Sequence, residues 1–341
     1  MLRKEVMRMT TQSENILELE NVKVQIRSNK EVLEITEGVS FELKKGETLG
    51  VVGESGCGKS ITALSIIGLL PENAEVAEGS IKLKGEDLLT LSQDEYRQLR
   101  GKEISMIFQD PMTSLNPVYT IGFQIEELLK EHTNIPKEEY KEEVINLLRL
   151  VSIPRPEEII HDYPHQLSGG MRQRVMIAMG LACNPEILIA DEPTTALDVT
   201  IQAQIIDIMK NLQEELNMST LFITHDLGVV AEICDRVVVM YAGQIVEQAS
   251  VDELFDNPKH PYTKGLMKSI PKIGEYKEKL HSIEGSVPQL HEIKGGCRFA
   301  DRCSMAMEKC FEKAPPMFET KGNTKTRCWL FEEQVKIGAT K

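Results

Sequence analysis

The sequence predicts an α/β fold in which strands and helices alternate around a mainly parallel sheet. A short apolar run at residues 48–52 leads into a glycine-rich turn, and residues 60–70 after the turn have helical composition. Further apolar runs of strand length follow at residues 187–190, 221–223 and 236–240. Strands buried on both faces of a parallel sheet form continuous apolar runs, and helical crossovers connect them.

An antiparallel β subdomain is expected to precede this sheet. Residues 16–24 and 39–43 have alternating or β-branched character, and the turn between them is rich in Asn, Lys and Glu. Residues 122–150 carry two apolar stripes at helical spacing, which predicts core-packing helices within an α-helical subdomain at about residues 110–185. A final stripe predicts the crossover helix, and its members are Ile201, Ile205, Ile208, Leu212 and Leu216.

Charge and hydropathy limit what the chain can bind. The 39 Lys and Arg against 53 Asp and Glu give a formal charge of −14, which excludes the basic surface that nucleic acid requires. Apolar runs fall short of the roughly 20 residues of a membrane-spanning helix, and residues 1–11 lack the apolar segment of a secretory signal. We expect a cytosolic chain whose seven cysteines are free thiols or metal ligands rather than disulfides.

Residues 53–60, Gly-Glu-Ser-Gly-Cys-Gly-Lys-Ser, match the P-loop pattern G-x-x-x-x-G-K-[ST] at every fixed position. Backbone N–H groups of such a loop surround a β-phosphate, and the helix N-terminus adds partial positive charge. Lys59 is expected to bridge the β- and γ-phosphates of ATP, and the Ser60 hydroxyl to ligate Mg²⁺. The residues expected to bind the nucleotide are Gly53, Ser55, Gly56, Gly58, Lys59, Ser60 and Ile61.

Two carboxylates directly follow the apolar run at residues 187–190, at the edge of the sheet where ligands of such folds bind. Asp191 is expected to orient Mg²⁺, directly or through water. Glu192 is expected to act as the general base on the attacking water. An Asp-Glu pair alone would equally suit a solvated loop, and its combination with a P-loop indicates nucleotide hydrolysis.

Residues 167–173, Leu-Ser-Gly-Gly-Met-Arg-Gln, resemble the signature motif of the ATP-binding subunits of ABC transporters. The resemblance implies a P-loop NTPase fold of ABC type, with residues 14–250 as the nucleotide-binding domain. In that family the motif faces ATP held by the P-loop of a partner subunit. Ser168, Gly169 and Gly170 therefore imply a second ATP-binding subunit, either a copy of this chain or a paralogue.

Other positions match the same family in the expected order. Gln109 resembles the Q-loop glutamine, which implies contact with Mg²⁺ and with the membrane subunit. Asp198 resembles the D-loop aspartate that reaches across the dimer, and His225 resembles the switch histidine that hydrogen-bonds the γ-phosphate. Alignment places Ile26 where the family usually has an aromatic residue that stacks on adenine, so the adenine contact stays open.

The C-terminal third is similar to the extension of dipeptide and oligopeptide importer ATPases. The similarity lies in the His-Pro-Tyr segment at residues 257–263 and in residues 110–117 after Gln109. Locally we interpret His-Pro-Tyr as a turn that caps a helix, and residues 251–341 as the extension. The resemblance implies ATP-driven import of peptides or similar small solutes at the cytoplasmic face of the cell membrane, with two membrane permease subunits and an extracytoplasmic solute-binding protein.

Four cysteines of this extension, Cys297, Cys303, Cys310 and Cys328, have the spacing C-x₅-C-x₆-C-x₁₇-C. The close C-x₂₋₄-C pair usual in zinc sites is missing. Four thiolates can hold a [4Fe–4S] cluster, and some members of the importer family carry one in a module that this resembles. We expect such a cluster in a structural role, while zinc, free thiols and disulfides stay open as alternatives.

Two other functions would leave different marks in the sequence. A soluble ABC-type ATPase acting on nucleic acid or ribosomes would usually have a long coiled-coil insertion or two ATPase units in one chain, and this acidic chain has neither. A regulator without turnover would be expected to lose the catalytic Glu or His. Both Glu192 and His225 are present.

Overall fold

A computed structural model describes residues 15–28, 31–110, 114–195, 197–269, 282–293 and 295–333. The expectations for residues 1–11, for residues 111–113 after Gln109 and for residue 196 beside the predicted D-loop lie outside these ranges. In chain order the strands are β1 (Asn15–Ser28), β2 (Glu31–Glu34), β3 (Val39–Lys44), β4 (Thr48–Val52), β5 (Ala74–Leu83), β6 (Glu86–Asp87), β7 (Ile104–Ile107), β8 (Ile187–Asp191), β9 (Ser219–Thr224), β10 (Arg236–Tyr241), β11 (Gln244–Ser250), β12 (Phe318–Glu319) and β13 (Lys325–Thr326).

Helices connect many of these strands, and several of them follow one another between β7 and β8. In chain order they are α1 (Lys59–Ile66), α2 (Gln93–Leu99), α3 (Ile121–His132), α4 (Tyr140–Leu150), α5 (Pro156–Ile159), α6 (Gly169–Leu181), α7 (Val199–Leu216), α8 (Leu227–Ile233), α9 (Val251–Asp256), α10 (Pro261–Ser269) and α11 (Glu308–Glu312).

Two sheets form the framework. The antiparallel sheet has the order β2-β1-β5-β6, with β3 also paired to β1, which confirms the predicted antiparallel lead-in. The larger sheet has the order β12-β13-β11-β10-β4-β9-β8-β7, and its strands from β10 to β7 are parallel. Each of the four apolar runs predicted as buried strands lies in this parallel part. The P-loop and the Asp191-Glu192 pair therefore leave the sheet at the same edge.

One helix boundary differs from the prediction. Helix α1 ends at Ile66 rather than near residue 70, and Gly68 follows in the left-handed region at φ +64°. The two apolar stripes predicted in residues 122–150 lie on two helices, α3 and α4. Pro136 lies between them, and proline lacks the N–H that a continuing helix needs.

Three large apolar clusters and one small one in the C-terminal extension are found among the described residues. One lies among α3, α4, α6 and α7, and a second lies between the antiparallel sheet and α1. The third contains Val52 and Tyr241 of the large sheet together with Tyr262 and Phe299 of the C-terminal extension. In the described parts of the chain, no helix is both long and apolar enough to cross a bilayer.

Candidate active site

The P-loop connects β4 to α1 and depends on glycine at defined points. A Cβ on Gly53 would lie 2.2 Å from the Met240 carbonyl oxygen, which leaves no room for a side chain. Gly56 and Gly58 have φ values of +79° and +99°, in the region that favours glycine. A Cβ on Gly56 would meet nothing within 4 Å, so a ligand can approach the backbone there closely.

Lys59 is 5% exposed and its ammonium lies inside the loop. Nζ donates hydrogen bonds to the carbonyl oxygens of Gly53 at 2.8 Å and Glu54 at 3.2 Å. The same nitrogen is 4.0 Å from Oε1 of Glu192. The loop carbonyls thus hold a cation between the turn and the catalytic carboxylate predicted from the sequence.

A hydroxyl of α1 and a carboxylate of β8 meet at the position expected to bind Mg²⁺. The Ser60 hydroxyl donates a 3.0 Å hydrogen bond to Oδ1 of Asp191. Asp191 is buried, and this burial raises the pKa of its carboxyl, while the Ser60 hydrogen bond opposes that rise. A hydroxyl and a carboxylate side by side are the hard oxygen ligands that Mg²⁺ accepts, so these residues fit the ion by their chemistry.

The remaining polar groups of the site contact the side chain of Glu192. Its backbone is left-handed at φ +48°, and its N–H donates to the Ile223 carbonyl at 2.9 Å. Oε2 accepts hydrogen bonds from Gln109 Nε2 at 3.0 Å and Thr195 Oγ1 at 2.9 Å. Nδ1 of His225 lies 3.5 Å from the same oxygen. A non-glycine residue in this conformation costs about 1 kcal/mol or more and is typical of functional sites.

These residues surround one cleft of about 610 Å³. Its apolar wall comes from Ile35 and Ile61. Ile26, which pairs with Leu33 across β1 and β2, is not among the lining residues. The described residues that line the cleft are Ile35, Glu54, Ser55, Gly56, Gly58, Lys59, Ser60, Ile61, Gln109, Glu192 and His225.

The signature-like residues and Asp198 do not line this cleft in the same chain. Ser168 caps α6 by accepting the Met171 N–H at 3.3 Å, and Gly169 beside it is exposed. A Cβ on Gly170 would lie 2.7 Å from Cγ2 of Ile201, which explains the glycine by packing. Asp198 caps α7 through the backbone N–H groups of the first turn.

The four cysteines of the extension line one small pocket of about 10 Å³, next to Phe299 and Trp329. Burial raises the pKa of the Cys297 and Cys328 thiols to about 11, so both are protonated at neutral pH. Among the described residues, no set of three or more His, Cys, Asp or Glu is placed to hold a metal ion. The four cysteines expected to hold an iron–sulfur cluster thus meet in one pocket, and the arrangement described here is not that of a formed metal site.

The His-Pro-Tyr segment does cap a helix, and it also reaches the P-loop. His260 Nδ1 accepts the Tyr262 N–H at 3.1 Å, and Pro261 begins α10. The Tyr262 hydroxyl accepts the Glu54 N–H at 3.0 Å, and Arg302 is paired with the Glu54 carboxylate. These contacts were not predicted from the sequence, and neither were the place of Ile35 at the cleft or the hydrogen bond from Thr195 to Glu192. The only sequence signal was that His-Pro-Tyr and the P-loop are each well defined.

Comparison with known proteins gives two family matches. The ABC transporter family profile matches residues 36–195. The profile of the oligopeptide/dipeptide transporter C-terminal region matches residues 246–310. The first match includes the P-loop and Glu192, and the second includes the His-Pro-Tyr segment.

Similar proteins match along almost the whole chain. The oligopeptide transport ATP-binding protein AppD of Bacillus subtilis (strain 168) is 53% identical over 320 residues, covering 94% of this chain and 98% of its own length. The dipeptide transport ATP-binding protein DppD of the same organism is 48% identical over 324 residues, covering 95% and 97%. The dipeptide transport ATP-binding protein DppD of Haemophilus influenzae is 48% identical over 313 residues, covering 92% and 94%.

Solved structures with a similar fold are ATP-binding cassettes. The dimeric post-hydrolysis structure of the cassette MJ0796 bound to ADP and Pi has a TM-score of 0.63 at 28% identity, covering 69% of this chain and 98% of that one. CbiO1 from Clostridium perfringens, described as part of an ABC transporter complex, has a TM-score of 0.62 at 27% identity, covering 72% and 92%.

Proposed function

The chain belongs to the family of ATP-binding subunits of oligopeptide and dipeptide ABC transporters, and from this premise we propose that it hydrolyses ATP to drive uptake of peptides or similar small solutes. The observation that carries the proposal is the convergence of Lys59, Glu192, Gln109 and His225 on one cleft beside the Ser60–Asp191 contact. The rival function, a soluble ATPase acting on nucleic acid or ribosomes, lacks such support, because the relatives described above are transport proteins.

The cleft supports a division of roles among its residues. Lys59 and the P-loop glycines are proposed to bind the β- and γ-phosphates, because they supply a buried cation and open backbone N–H groups. Mg²⁺, when bound, would neutralise phosphate charge, and Ser60, Asp191 and Gln109 are its proposed ligands, directly or through water. Glu192 is proposed as general base and His225 as the γ-phosphate contact.

Glu192 suits the role of base through its surroundings. Gln109 and Thr195 both donate to one carboxylate oxygen, Oε2, which fixes the side chain and leaves Oε1 toward Lys59. A base held in one orientation can accept a proton from a positioned water without first reorganising. The Lys59 ammonium lies 4.0 Å from this second oxygen, at the limit of ion-pair distance.

The proposal includes a second ATP-binding subunit, a copy of this chain or a paralogue. Ser168 and Gly169 are exposed at the start of α6, and Gly170 follows them in the same helix. Asp198 caps α7, the next helix along the chain. None of these four residues lines the cleft of its own chain. They are therefore free to face the ATP of a partner, and the structurally similar cassette MJ0796 is described as a dimer.

An apolar groove of about 540 Å³ begins next to Gln109 and supports the proposal of two permease subunits. Phe108 is 39% exposed there, although large aromatic side chains are usually buried. An apolar helix from a permease would cover this surface and place the membrane subunit beside Gln109. The chain is thereby proposed to associate peripherally with the cytoplasmic face of the membrane, with an extracytoplasmic protein delivering the solute. Members of the groove include Ile67, Leu69, Phe108, Leu128, Met176 and Met179.

For the cysteine pocket we propose a structural [4Fe–4S] cluster. Its support is the convergence of all four thiols on one pocket in a tail with a small apolar cluster of its own. The four cysteines are free thiols around a pocket of only about 10 Å³, so binding of a cluster requires the pocket to widen. The test measures iron, acid-labile sulfide and zinc in the protein after anaerobic purification. Zinc alone, or no metal, would reject the cluster.

The transport function is tested by reconstitution with the cognate permeases in lipid vesicles. Wild-type chain is expected to support peptide uptake that depends on ATP, while Lys59→Ala abolishes both nucleotide binding and uptake. The matched control is Arg155→Gln, which removes an exposed ion pair with Glu158 far along the chain from the cleft. Co-purification with nucleic acid instead of permeases would overturn the proposal.

A further inference from the structure

Glu54, at a variable position of the P-loop, is held from two sides by the C-terminal extension. Its backbone N–H donates a 3.0 Å hydrogen bond to the hydroxyl of Tyr262. Both oxygens of its carboxylate accept hydrogen bonds of 3.1 Å from Nη1 of Arg302. These partners follow Glu54 by 208 and 248 residues, so only the folded extension brings them to the loop.

Tyr262 is held in place by contacts around the start of α10. Glu247 is fully buried and accepts the N–H groups of Lys259 and His260 at 2.7 and 2.8 Å. His260 Nδ1 then accepts the Tyr262 N–H, and the Tyr262 ring lies 4.7 Å from that of Tyr241. Tyr262 is fully buried, so its hydroxyl has a defined position under the P-loop.

Arg302 is equally constrained although it belongs to a loop-rich module. Its side chain is 7% exposed, and its guanidinium lies 5.7 Å from the centre of the Tyr241 ring. Nε donates to the Glu284 carbonyl at 3.0 Å. Nη1 also lies 3.3 Å from the Tyr241 hydroxyl as a hydrogen-bond donor. A buried arginine with this many fixed partners acts as a rigid cation beside the Glu54 carboxylate.

These contacts bear on the phosphate site in two ways. The Glu54 carbonyl accepts a hydrogen bond from Lys59, so the position of Glu54 sets one of the oxygens that hold the phosphate-binding ammonium. Glu54 is also one of the residues that line the cleft, so an unpaired negative charge on its side chain would repel a nearby triphosphate. Arg302 offsets that charge and leaves the loop backbone free to attract anions.

We propose that Tyr262 and Arg302 are positioning residues for ATP binding, which act through Glu54 and make nucleotide affinity depend on the C-terminal extension. The inference rests on the proposed function, because it concerns the same cleft. It assigns the His-Pro-Tyr segment a role beyond capping α10, and it assigns Arg302 the role of neutralising a P-loop carboxylate. Neither residue touches the reacting atoms.

The test measures Mg-ATP dissociation constants by calorimetry on the full chain, in a Glu192→Gln background that prevents turnover. Tyr262→Phe keeps the ring and removes the hydroxyl, and Arg302→Gln leaves the Glu54 carboxylate unpaired. Each is expected to weaken binding about 3- to 10-fold. Adding Glu54→Gln to Arg302→Gln should restore affinity to within about twofold of Glu54→Gln alone, because the repelling charge is gone.

A second readout separates positioning from general stability. By linkage, ATP bound at the P-loop should slow amide exchange in α10 of the parent chain, and Tyr262→Phe should abolish that effect. Tyr140→Phe, at the start of α4, serves as the tyrosine control and should change neither affinity nor exchange. Unchanged affinity in Tyr262→Phe and Arg302→Gln, or no rescue by Glu54→Gln, would overturn the inference. Lys59→Ala distinguishes the two failures: if it too leaves binding intact, the proposed function fails as well.

Discussion

Ser60 Oγ and Asp191 Oδ1 are 3.0 Å apart, and their hydrogen bond ties the first turn of α1 to the last residue of β8. Asp191 is only 5% exposed, and burial raises the pKa of its carboxyl. The charged form is therefore less favourable in the folded chain than in the unfolded one. We interpret this buried carboxylate as a ligand whose negative charge binds Mg²⁺.

We expect Asp191→Asn to stabilise the nucleotide-free chain while abolishing Mg²⁺-dependent hydrolysis. A raised folded-state pKa gives stability that is present below the unfolded pKa and lost as pH rises through the folded value, so at pH 7 the ionised carboxylate is destabilising. Removing the charge should raise the Tm, because burial no longer disfavours an ionised group at this position. Thermal unfolding and Mg²⁺ titration of ATPase activity check this. Ser60→Ala should lose activity without the gain in Tm.

Glu192→Gln should bind ATP normally and hydrolyse it slowly. The amide keeps the size of the side chain and one oxygen to accept from Gln109 and Thr195, but it cannot take a proton from water. Turnover should fall roughly 10²- to 10⁴-fold, about 3–5 kcal/mol of barrier. Single-turnover hydrolysis and ATP titration measure the two effects. Thr195→Val, which removes one hydrogen bond to the carboxylate, should lose only about 10-fold. A nearly normal rate in Glu192→Gln would take the role of base from this residue.

The parts of the site that the sequence predicted are those that short segments determine. Gly53 has no space for a Cβ and Gly58 has a positive φ, so the P-loop appears in the sequence as fixed glycines. The strand before Asp191 is apolar because it is buried on both faces, and it too is visible as a short run.

The parts that the sequence did not predict depend on distant contacts. Ile35 lines the cleft where alignment suggested Ile26, because the pairing of β1 with β2 decides which of them lies next to the P-loop. The reach of Tyr262 to Glu54 depends on the packing of the extension against the large sheet. Nothing in the local composition of either segment indicates such contacts.

Gly169→Glu should separate ATP binding from dimer formation. A Cβ at Gly169 would have only Leu197 Cδ2 nearby, at 4.0 Å, so the chain can accept a side chain there. An acidic residue also suits the first turn of a helix, and α6 should stay intact. The carboxylate would nevertheless oppose a partner's triphosphate at the proposed interface. We expect normal ATP affinity, background hydrolysis and no ATP-dependent dimer.

Sedimentation of the Glu192→Gln chain with Mg-ATP, alone and with its cognate subunit, measures this effect. Gly169→Ala is the graded control, and it should retain most of the dimer because it adds a methyl group without charge. A Gly169→Glu chain that still dimerises and hydrolyses ATP would remove the signature-like segment from the interface.

Low pH should destabilise the C-terminal extension through protonation of His260. Burial lowers the pKa of this histidine from 6.5 to about 3, so it is neutral in the folded chain and charged in the unfolded chain between those values. A depressed folded-state pKa gives stability that is present above pH 6.5 and is lost as pH falls toward 3, by up to about 1.4 kcal/mol per pH unit. Glu247, whose pKa is raised by burial, acts in the opposite direction at the lower end of this range.

His260→Asn offers an amide oxygen to the Tyr262 N–H and does not titrate. Its unfolding free energy, from denaturant titrations between pH 7.5 and 4.5, should therefore fall less steeply than that of the parent chain, whereas the exposed His291→Asn should keep the parent slope. Equal slopes in all three chains would show that His260 becomes charged without disturbing the helix that supports Tyr262.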